Sequence, residues 1–221
     1  MAQIILDFSS GNTSRNNKTI VKRMIDAVKE IDTGKHEIIL KAQLSLPDGI
    51  NLPLDHEVFD YMYRYGNSLG YKVTSSVADL ESLKFLLQYD VLFVKLPNDR
   101  KLDWLAGYIP RGMKIYISYG TCEEYFKVRM GEIGYNTMPL ACISKYPATL
   151  EEYDKEFYLQ LMGLSGIENG VCISDHTAGL DLYKEYKPAI WEKHFVLEHD
   201  SNNLDGGLFA ILPSELAEVF R

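Results

Sequence analysis

The sequence has few cysteines and no pattern that links them. Cys122, Cys142 and Cys172 are odd in number and widely spaced, and no C-x-x-C pair occurs. This argues against a disulfide framework and against a structural zinc site. Cys142 and Cys172 lie in apolar runs typical of strands, so we expect reduced thiols that pack in the core; a catalytic thiol is the alternative.

Long hydrophobic runs and a targeting segment are also missing. The chain contains no run of about 18 apolar residues, so we expect no membrane span. The first residues lack a basic region, and Asp7 interrupts their apolar run, which predicts a strand and not a signal peptide. We therefore expect a cytoplasmic protein.

Basic residues are fewer than acidic residues in this sequence. The chain has 23 Lys and Arg residues against 31 Asp and Glu residues, for a formal net charge of −8. Binding to nucleic acid or to anionic lipid relies on surplus basic residues, so the sequence predicts neither partner. What remains is an ordinary globular composition over 221 residues, 46% hydrophobic and 24% charged, which suits one well-buried domain.

Short apolar runs alternate with longer amphipathic stretches along the whole chain. The eight predicted strands are residues 4–8, 37–44, 71–77, 91–96, 114–120, 138–144, 170–174 and 189–196. The helical patterns are 17–31, 54–69, 80–89, 122–133, 150–164 and 178–186, with a weak one at 102–107 and a last helix after Pro213. This order predicts a single α/β domain over residues 1–221, a (β/α)8 TIM barrel; an open doubly wound sheet is the alternative.

Nearly every predicted strand ends in a polar group. These groups are Asp7, Lys41 with Gln43, Ser75 with Ser76, Lys95, Ser118, Ser144, Ser174, and Glu192 with His194. One serine at a strand end is explained by contact with water. In a barrel, however, all of these ends meet at one mouth, and the joint pattern predicts an active site there.

Two lysines stand inside apolar strands. Lys41 shares a strand face with Gln43, and Lys95 follows the run 91–94. A buried lysine needs an anionic partner, and two lysines in one barrel mouth suit a small dianion or trianion. Buried ion pairs with Asp7 or Glu192 are the alternative.

Two histidines lie on neighbouring strands. His176 follows the seventh strand, and His194 lies in the eighth, so both imidazoles can reach one metal ion. Two protein ligands leave coordination positions for water and substrate, as in catalytic sites. Two hydrogen-bonded core histidines would show the same spacing.

The motifs around these residues resemble those of the sialic acid (N-acetylneuraminate) synthases and related nonulosonate synthases. The segment 174–177 reads S-D-H-T, the segment 192–195 reads E-K-H-F, and Tyr146-Pro147 is similar to the family's Y-P after strand six. Lys41, Gln43 and Lys95 also fall in register. The resemblance runs from Ile4 to about Phe220 and covers only the catalytic barrel of the family.

The resemblance implies a condensation of phosphoenolpyruvate with the open-chain aldehyde of an N-acyl hexose, with release of phosphate. It implies a divalent metal ion, Mn²⁺ or Mg²⁺, held by His176 and His194. The residues implied in catalysis are Asp7, Lys41, Lys95, Tyr146 and Asp205, and those implied in substrate binding are Gln43, Ser76, Asn98, Arg100, Ser144 and Ser174.

Some positions depart from the pattern of the family. Asp7 stands where the family usually has Glu, and 98–100 reads N-D-R in place of S-G-D/E, which reverses a charge beside the substrate. We expect no counterpart here of the family's C-terminal antifreeze-like domain, which supplies a sugar-binding arginine to the partner subunit. We therefore expect Arg100, a homodimer partner or a separate lid protein to complete the acceptor site.

These departures leave other functions open. One is a metal-dependent aldolase with a different substrate, and another is a catalytically inactive binding barrel. A Schiff-base aldolase that uses Lys41 or Lys95 is a further variant, because neighbouring lysines lower each other's pKa.

Overall fold

The computed structural model describes residues 1–47, 49, 51–121, 136–153 and 170–221. Eight parallel strands close into a barrel in chain order: β1 Gln3–Asp7, β2 Glu37–Leu44, β3 Lys72–Val77, β4 Phe93–Leu96, β5 Lys114–Tyr119, β6 Thr137–Cys142, β7 Cys172–Asp175 and β8 Ile190–His194. Parallel pairing of β8 with β1 closes the barrel. The predicted (β/α)8 barrel is therefore confirmed, and the open sheet is excluded.

Helices lie in the described connections between the strands. The described α-helices are α1 Gly11–Ser14, α2 Lys18–Ile31, α3 His56–Ser68, α4 Leu80–Leu86, α5 Asp181–Tyr186 and α6 Pro213–Phe220. The weak pattern at 102–107 forms a 3₁₀ helix, Arg100–Tyr108, and a second one spans Leu150–Glu152. The predicted helix at 122–133 and most of the one at 150–164 lie outside the described residues. None of the described helices has the length and apolar character needed to span a membrane.

Helix α2 shows how the sequence sets these elements. The side chain of Asn17 caps it by accepting hydrogen bonds from the backbone N–H groups of Thr19 and Ile20. The helix then buries one stripe, which consists of Val21, Met24, Ile25 and Val28. Their spacing of three and four residues places them on the face that packs against the barrel.

The barrel interior consists of an apolar floor below a polar layer. The floor is a separate cluster of buried residues, Ile5, Ile39, Phe93, Tyr116, Leu140, Cys172 and Ile190. Two residues farther along the same strands stand Asp7, Lys41, Lys95, Ser118, Cys142, Ser174 and Glu192, which line a cavity. Since side chains two apart point to the same side of a strand, the floor directly supports the polar layer. Cys172 packs in this floor, as expected.

Candidate active site

A cavity of about 270 Å³ opens at the carboxyl ends of the strands. Eleven of the thirteen predicted site residues line it: Asp7, Lys41, Gln43, Ser76, Lys95, Asn98, Ser144, Tyr146, Ser174, His176 and His194. The structure thus brings together residues from strands and loops that are far apart in the chain. The other two, Arg100 and Asp205, do not line the cavity.

Asp7 and Lys41 form a buried ion pair at one side of the cavity. The Nζ of Lys41 donates to Oδ2 of Asp7 over 2.7 Å, and Gln43 Nε2 donates to the same oxygen over 2.8 Å. The second carboxylate oxygen accepts the backbone N–H of Ser9 at 2.8 Å. The carboxylate is therefore held in one orientation by three donors.

These contacts keep both groups charged. Burial by itself raises the pKa of Asp7, but Lys41 and His194 outweigh it and hold that pKa at about 2. Burial by itself lowers the pKa of Lys41, but the carboxylates of Asp7 and Glu192 outweigh it and raise that pKa above its ordinary value. At neutral pH the pair consists of a carboxylate and an ammonium group.

Lys95 and Glu192 form a second, looser pair on the other side. The Nζ of Lys95 lies 3.4 Å from Oε1 of Glu192 and donates to the hydroxyl of Ser118 over 2.7 Å. Ser174 donates to the same Glu192 oxygen over 2.8 Å. The other oxygen of Glu192, Oε2, is buried and finds no hydrogen-bond donor among the described residues. A buried carboxylate oxygen without a donor suggests that a ligand or water supplies one.

The two ion pairs that the sequence offered as an alternative are thus both present, and both lie in the wall of the cavity. Burial alone would raise the pKa of Glu192, but Lys41 and Lys95 outweigh it and lower that pKa, so this carboxyl is also ionised. Two lysines and two carboxylates leave this part of the wall with no net formal charge. The electrostatic attraction between an anionic ligand and this wall would therefore be strongest if a further cation bound together with the ligand.

His176 and His194 lie side by side, with ring centroids 5.6 Å apart. Nδ1 of His176 lies 2.7 Å from the carbonyl oxygen of Ile143. Since a carbonyl only accepts, the neutral form of this ring carries its proton on Nδ1 and its lone pair on Nε2. Nδ1 of His194 is hydrogen-bonded to the hydroxyl of Ser9 at 2.9 Å, and its Nε2 lies 3.8 Å from Asp7 Oδ2.

The two imidazoles fit a divalent metal ion with an open coordination sphere. In each ring the Nδ1 atom is used by a hydrogen bond, the arrangement that orients metal-binding histidines. The described residues contain no group of three or more His, Cys, Asp or Glu side chains that could hold a metal. Water and substrate would therefore complete the coordination. Because imidazole suits Mg²⁺ poorly, Mn²⁺ fits this pair better than Mg²⁺ does.

Loop residues form the rim of the cavity. Nδ2 of Asn98 donates to the hydroxyl of Ser144 over 2.9 Å and so links the loops after β4 and β6. The ring of Tyr146 lies 4.2 Å from that of His176, measured between centroids, while 53% of Tyr146 remains exposed. The rim thus places amide and hydroxyl groups at the open end of the cavity.

Arg100 does not line the cavity. Its guanidinium donates to the carbonyl of Ser118 over 2.6 Å, contacts Asp103 at 3.3 Å and lies 4.4 Å from the centre of the Tyr119 ring. It also reaches the side-chain oxygen of Asn98 at 3.5 Å. Arg100 therefore contacts two residues that line the cavity, Asn98 and Ser118, without lining it itself.

Asp205 lies in the loop after β8. Its carboxylate accepts a hydrogen bond from the hydroxyl of Ser10 over 2.9 Å. This contact connects the loops after β8 and β1 beside the cavity and does not bring the carboxylate into the cavity wall.

Three more residues, outside the predicted catalytic, substrate-binding and metal-binding sets, contribute to the site. Ser9 contacts both Asp7 and His194 and has a positive φ of 66°, a conformation that is unusual outside glycine. Ser118 holds Lys95, and Cys142, expected in the core, lines the cavity with its sulfur 3.9 Å from Nδ1 of His176. Ser118 was recognisable as a polar strand end, whereas the contacts of Ser9 carried no sequence signal.

Comparisons with known proteins agree with this architecture. The human and mouse N-acetylneuraminate-9-phosphate synthases are each 25% identical to this chain in an alignment of 186 residues, and the match covers 77% of the chain. The match covers 50% of each relative, so the chain spans about half the length of the curated relatives it matches.

Solved structures show the same fold. The N-acetylneuraminic acid synthetase of Leptospira borgpetersenii, solved with citrate, superposes with a TM-score of 0.80 at 18% identity, over 98% of this chain and 80% of that one. The spore coat polysaccharide biosynthesis protein of Bacillus subtilis gives a TM-score of 0.77 at 18% identity, over 99% and 66% of the two chains. The sequence model of the NeuB family matches residues 22–221. The chain therefore belongs to the NeuB family.

Proposed function

We propose that this protein condenses phosphoenolpyruvate with the open-chain aldehyde of an N-acyl hexose and releases phosphate. The observation that carries the proposal is that two buried lysines and two buried histidines, Lys41, Lys95, His176 and His194, line one cavity. Membership of the NeuB family and the names of the synthase relatives support it.

Phosphoenolpyruvate would bind in the deep part of the cavity. Its carboxylate and phosphate carry the negative charge that Lys41 and Lys95 can neutralise. Ser76, Ser144 and Ser174 also line the cavity, and the hydroxyl of Ser144, which accepts from Asn98, keeps its own proton for the ligand. The ion pairs with Asp7 and Glu192 hold the two lysine side chains in place before the ligand arrives.

The reaction forms one carbon–carbon bond, between the methylene carbon of phosphoenolpyruvate and the aldehyde carbon. One water molecule is consumed, phosphate leaves, and the product is a nine-carbon 2-keto acid when the acceptor is a hexose. A divalent ion held by His176 and His194 would polarise the aldehyde oxygen as a Lewis acid. Asp7, which is ionised and buried, would stabilise the oxocarbenium-like carbon that develops on the enol.

The acceptor would lie toward the rim. Gln43, Asn98 and Tyr146 offer amide and phenol groups to sugar hydroxyls. Because Tyr146 is half exposed, we propose that a second copy of the chain or a separate lid protein completes this end. Sedimentation analysis with and without substrates tests the homodimer.

The deciding experiment is phosphate release from phosphoenolpyruvate, Mn²⁺ and a panel of N-acyl hexoses. We expect release that requires both the metal and the aldehyde, and that is lost in Lys41→Met and Lys95→Met but kept in Lys101→Met, a change at an exposed lysine. Phosphate release that is absent with every aldehyde would contradict the proposal. Cleavage or formation of 2-keto acids from pyruvate would instead favour an aldolase, and borohydride trapping would expose a Schiff base.

A further inference from the structure

The two segments that carry the histidines, 174–177 and 192–195, each have two residues that do not line the cavity. The residues of the two motifs that line the cavity are Ser174, His176, Glu192 and His194. The residues between and after them, Asp175, Thr177, Lys193 and Phe195, are all buried but do not line it. The proposed reaction uses only the first set, so the second set needs a separate explanation.

Asp175 is the centre of a buried polar network behind the barrel wall. One oxygen of its carboxylate accepts the backbone N–H and the hydroxyl of Thr177, both over 2.7 Å. The other accepts the indole N–H of Trp191 over 2.9 Å and lies 3.0 Å from Nζ of Lys193. Lys193 also donates to the carbonyl of Thr177 over 2.6 Å. All of the carboxylate's oxygens are thus engaged.

The residues of this network are neighbours of the two histidines in the sequence. Asp175 and Thr177 flank His176 on either side, and Lys193 directly precedes His194. In the pairing of β7 with β8, Asp175 lies opposite Lys193. Lys193 therefore contacts the residue on each side of His176, through the carboxylate of Asp175 and the carbonyl of Thr177, and links both to the strand that carries His194.

Stability alone is a weak reason for such a network. The side chains of Asp175 and Lys193 are both fully buried, with 0% exposure. Removing two charges from water is costly, and a well-packed apolar pair is often as stable. A fully satisfied polar network does, however, define one geometry of the segments that it joins.

We propose that Asp175, Thr177 and Lys193 are positioning residues that set the distance and orientation of His176 and His194. The inference rests on the metal site of the proposed function. Movement of either backbone segment would move an imidazole, and groups that orient metal-binding histidines contribute about 10–100-fold to metal affinity.

The test compares Lys193→Met and Thr177→Val with the parent protein. Thr177→Val removes only the hydroxyl and keeps the shape of the side chain, so it reports on the network even if Lys193→Met does not fold. Thr74→Val is the matched control, because Thr74 is a buried threonine whose hydroxyl bonds to the carbonyl of Phe93, away from the histidines. Co²⁺ titration gives the affinity, and the visible spectrum of bound Co²⁺ reports the coordination geometry.

We expect Co²⁺ binding weakened about tenfold in Thr177→Val and up to about 100-fold in Lys193→Met, with altered cobalt spectra, and parent values in Thr74→Val. Parent affinity and spectrum in both network variants would overturn the proposal. Long-range ¹H–¹⁵N spectra of the metal-free protein provide a second measurement. In the parent His176 should show one tautomer, protonated on Nδ1, and in the network variants a mixture.

The failure of the proposed function would look different. If the parent binds no Co²⁺, or if His176→Ala and His194→Ala bind it unchanged, the metal site is wrong. The imidazole spectra of the metal-free variants still test whether the network positions His176. A mixture of tautomers in the variants supports this role, and a single tautomer as in the parent contradicts it.

Discussion

Lys41 and Asp7 pair across the junction of β1 and β2, with 2.7 Å between Nζ and Oδ2 and no more than 3% of either side chain exposed. Breaking a buried pair on one side leaves an uncompensated charge, which typically costs about 3–5 kcal/mol. We expect this loss in Lys41→Met and a much smaller one in the double variant Asp7→Asn/Lys41→Met, as measured by urea unfolding.

The same double variant separates stability from ligand binding. If Lys41 binds the anion, phosphoenolpyruvate should raise the melting temperature of the parent but not that of the double variant, although both are folded. Lys18→Met is the control, because Lys18 forms an exposed pair with Glu57 and should leave both measurements unchanged. An undiminished shift in the double variant would restrict Lys41 to a structural role.

Metal and phosphoenolpyruvate should strengthen each other's binding. The two lysines and two carboxylates of the cavity cancel in charge, so a divalent ion would provide the net positive charge that the anion needs. Calorimetric titration of phosphoenolpyruvate should give a tighter dissociation constant with Mn²⁺ than without it. By reciprocity, phosphoenolpyruvate should tighten Mn²⁺ by the same factor.

His176→Ala tests that coupling. The variant should bind phosphoenolpyruvate equally well with and without Mn²⁺, because the site of the cation is lost. Coupling that persists in both His176→Ala and His194→Ala would place the cation elsewhere.

Arg100 should affect stability as well as kinetics. Its contact with the carbonyl of Ser118 is a charge-assisted hydrogen bond, and losing one costs about 1.5–3 kcal/mol. We expect Arg100→Ala to lower the free energy of unfolding in the absence of any substrate, with Lys101→Ala as the neighbouring control. Unchanged stability together with a large rise in the KM of the aldehyde would mean direct contact with the substrate, as the sequence predicted.

The floor of the barrel should make the protein sensitive to alkali. Burial raises the pKa of the Cys172 thiol to about 12, and burial, with the nearby Cys172, raises the pKa of Tyr116 to about 12. Unfolded thiols and phenols ionise at about 8.5 and 10. Between those values and 12 the folded chain keeps protons that the unfolded chain loses, so the free energy of unfolding should fall as pH rises.

Each such group should contribute a slope of about 1.4 kcal/mol per pH unit within its window. Unfolding measured from pH 8 to 11 should show a smaller slope in Cys172→Ser and in Tyr116→Phe than in the parent. Tyr108→Phe, at an exposed tyrosine, should keep the parent slope. A common slope in all four proteins would contradict the prediction.

The sequence by itself determined the barrel and the polar layer at its mouth. Strand β2 was predicted with its observed bounds, and the period of two placed Lys41 and Gln43 on one side. Both properties depend only on the alternation of side chains along a strand, which is local. Helix α4 ends at Leu86, earlier than its predicted end at Tyr89, because apolar spacing does not mark where a helix terminates.

Only the tertiary structure decided how the polar groups pair. The sequence left Asp7 and Glu192 as equal partners for the lysines, and the barrel register joins Asp7 to Lys41. Arg100 and Asp205, which were predicted at the substrate, do not line the cavity. Both lie in connections after strands, where no periodicity fixes the direction of a side chain. Their positions follow from contacts with Ser118 and Ser10, residues distant in sequence, and such contacts form only when the chain has folded.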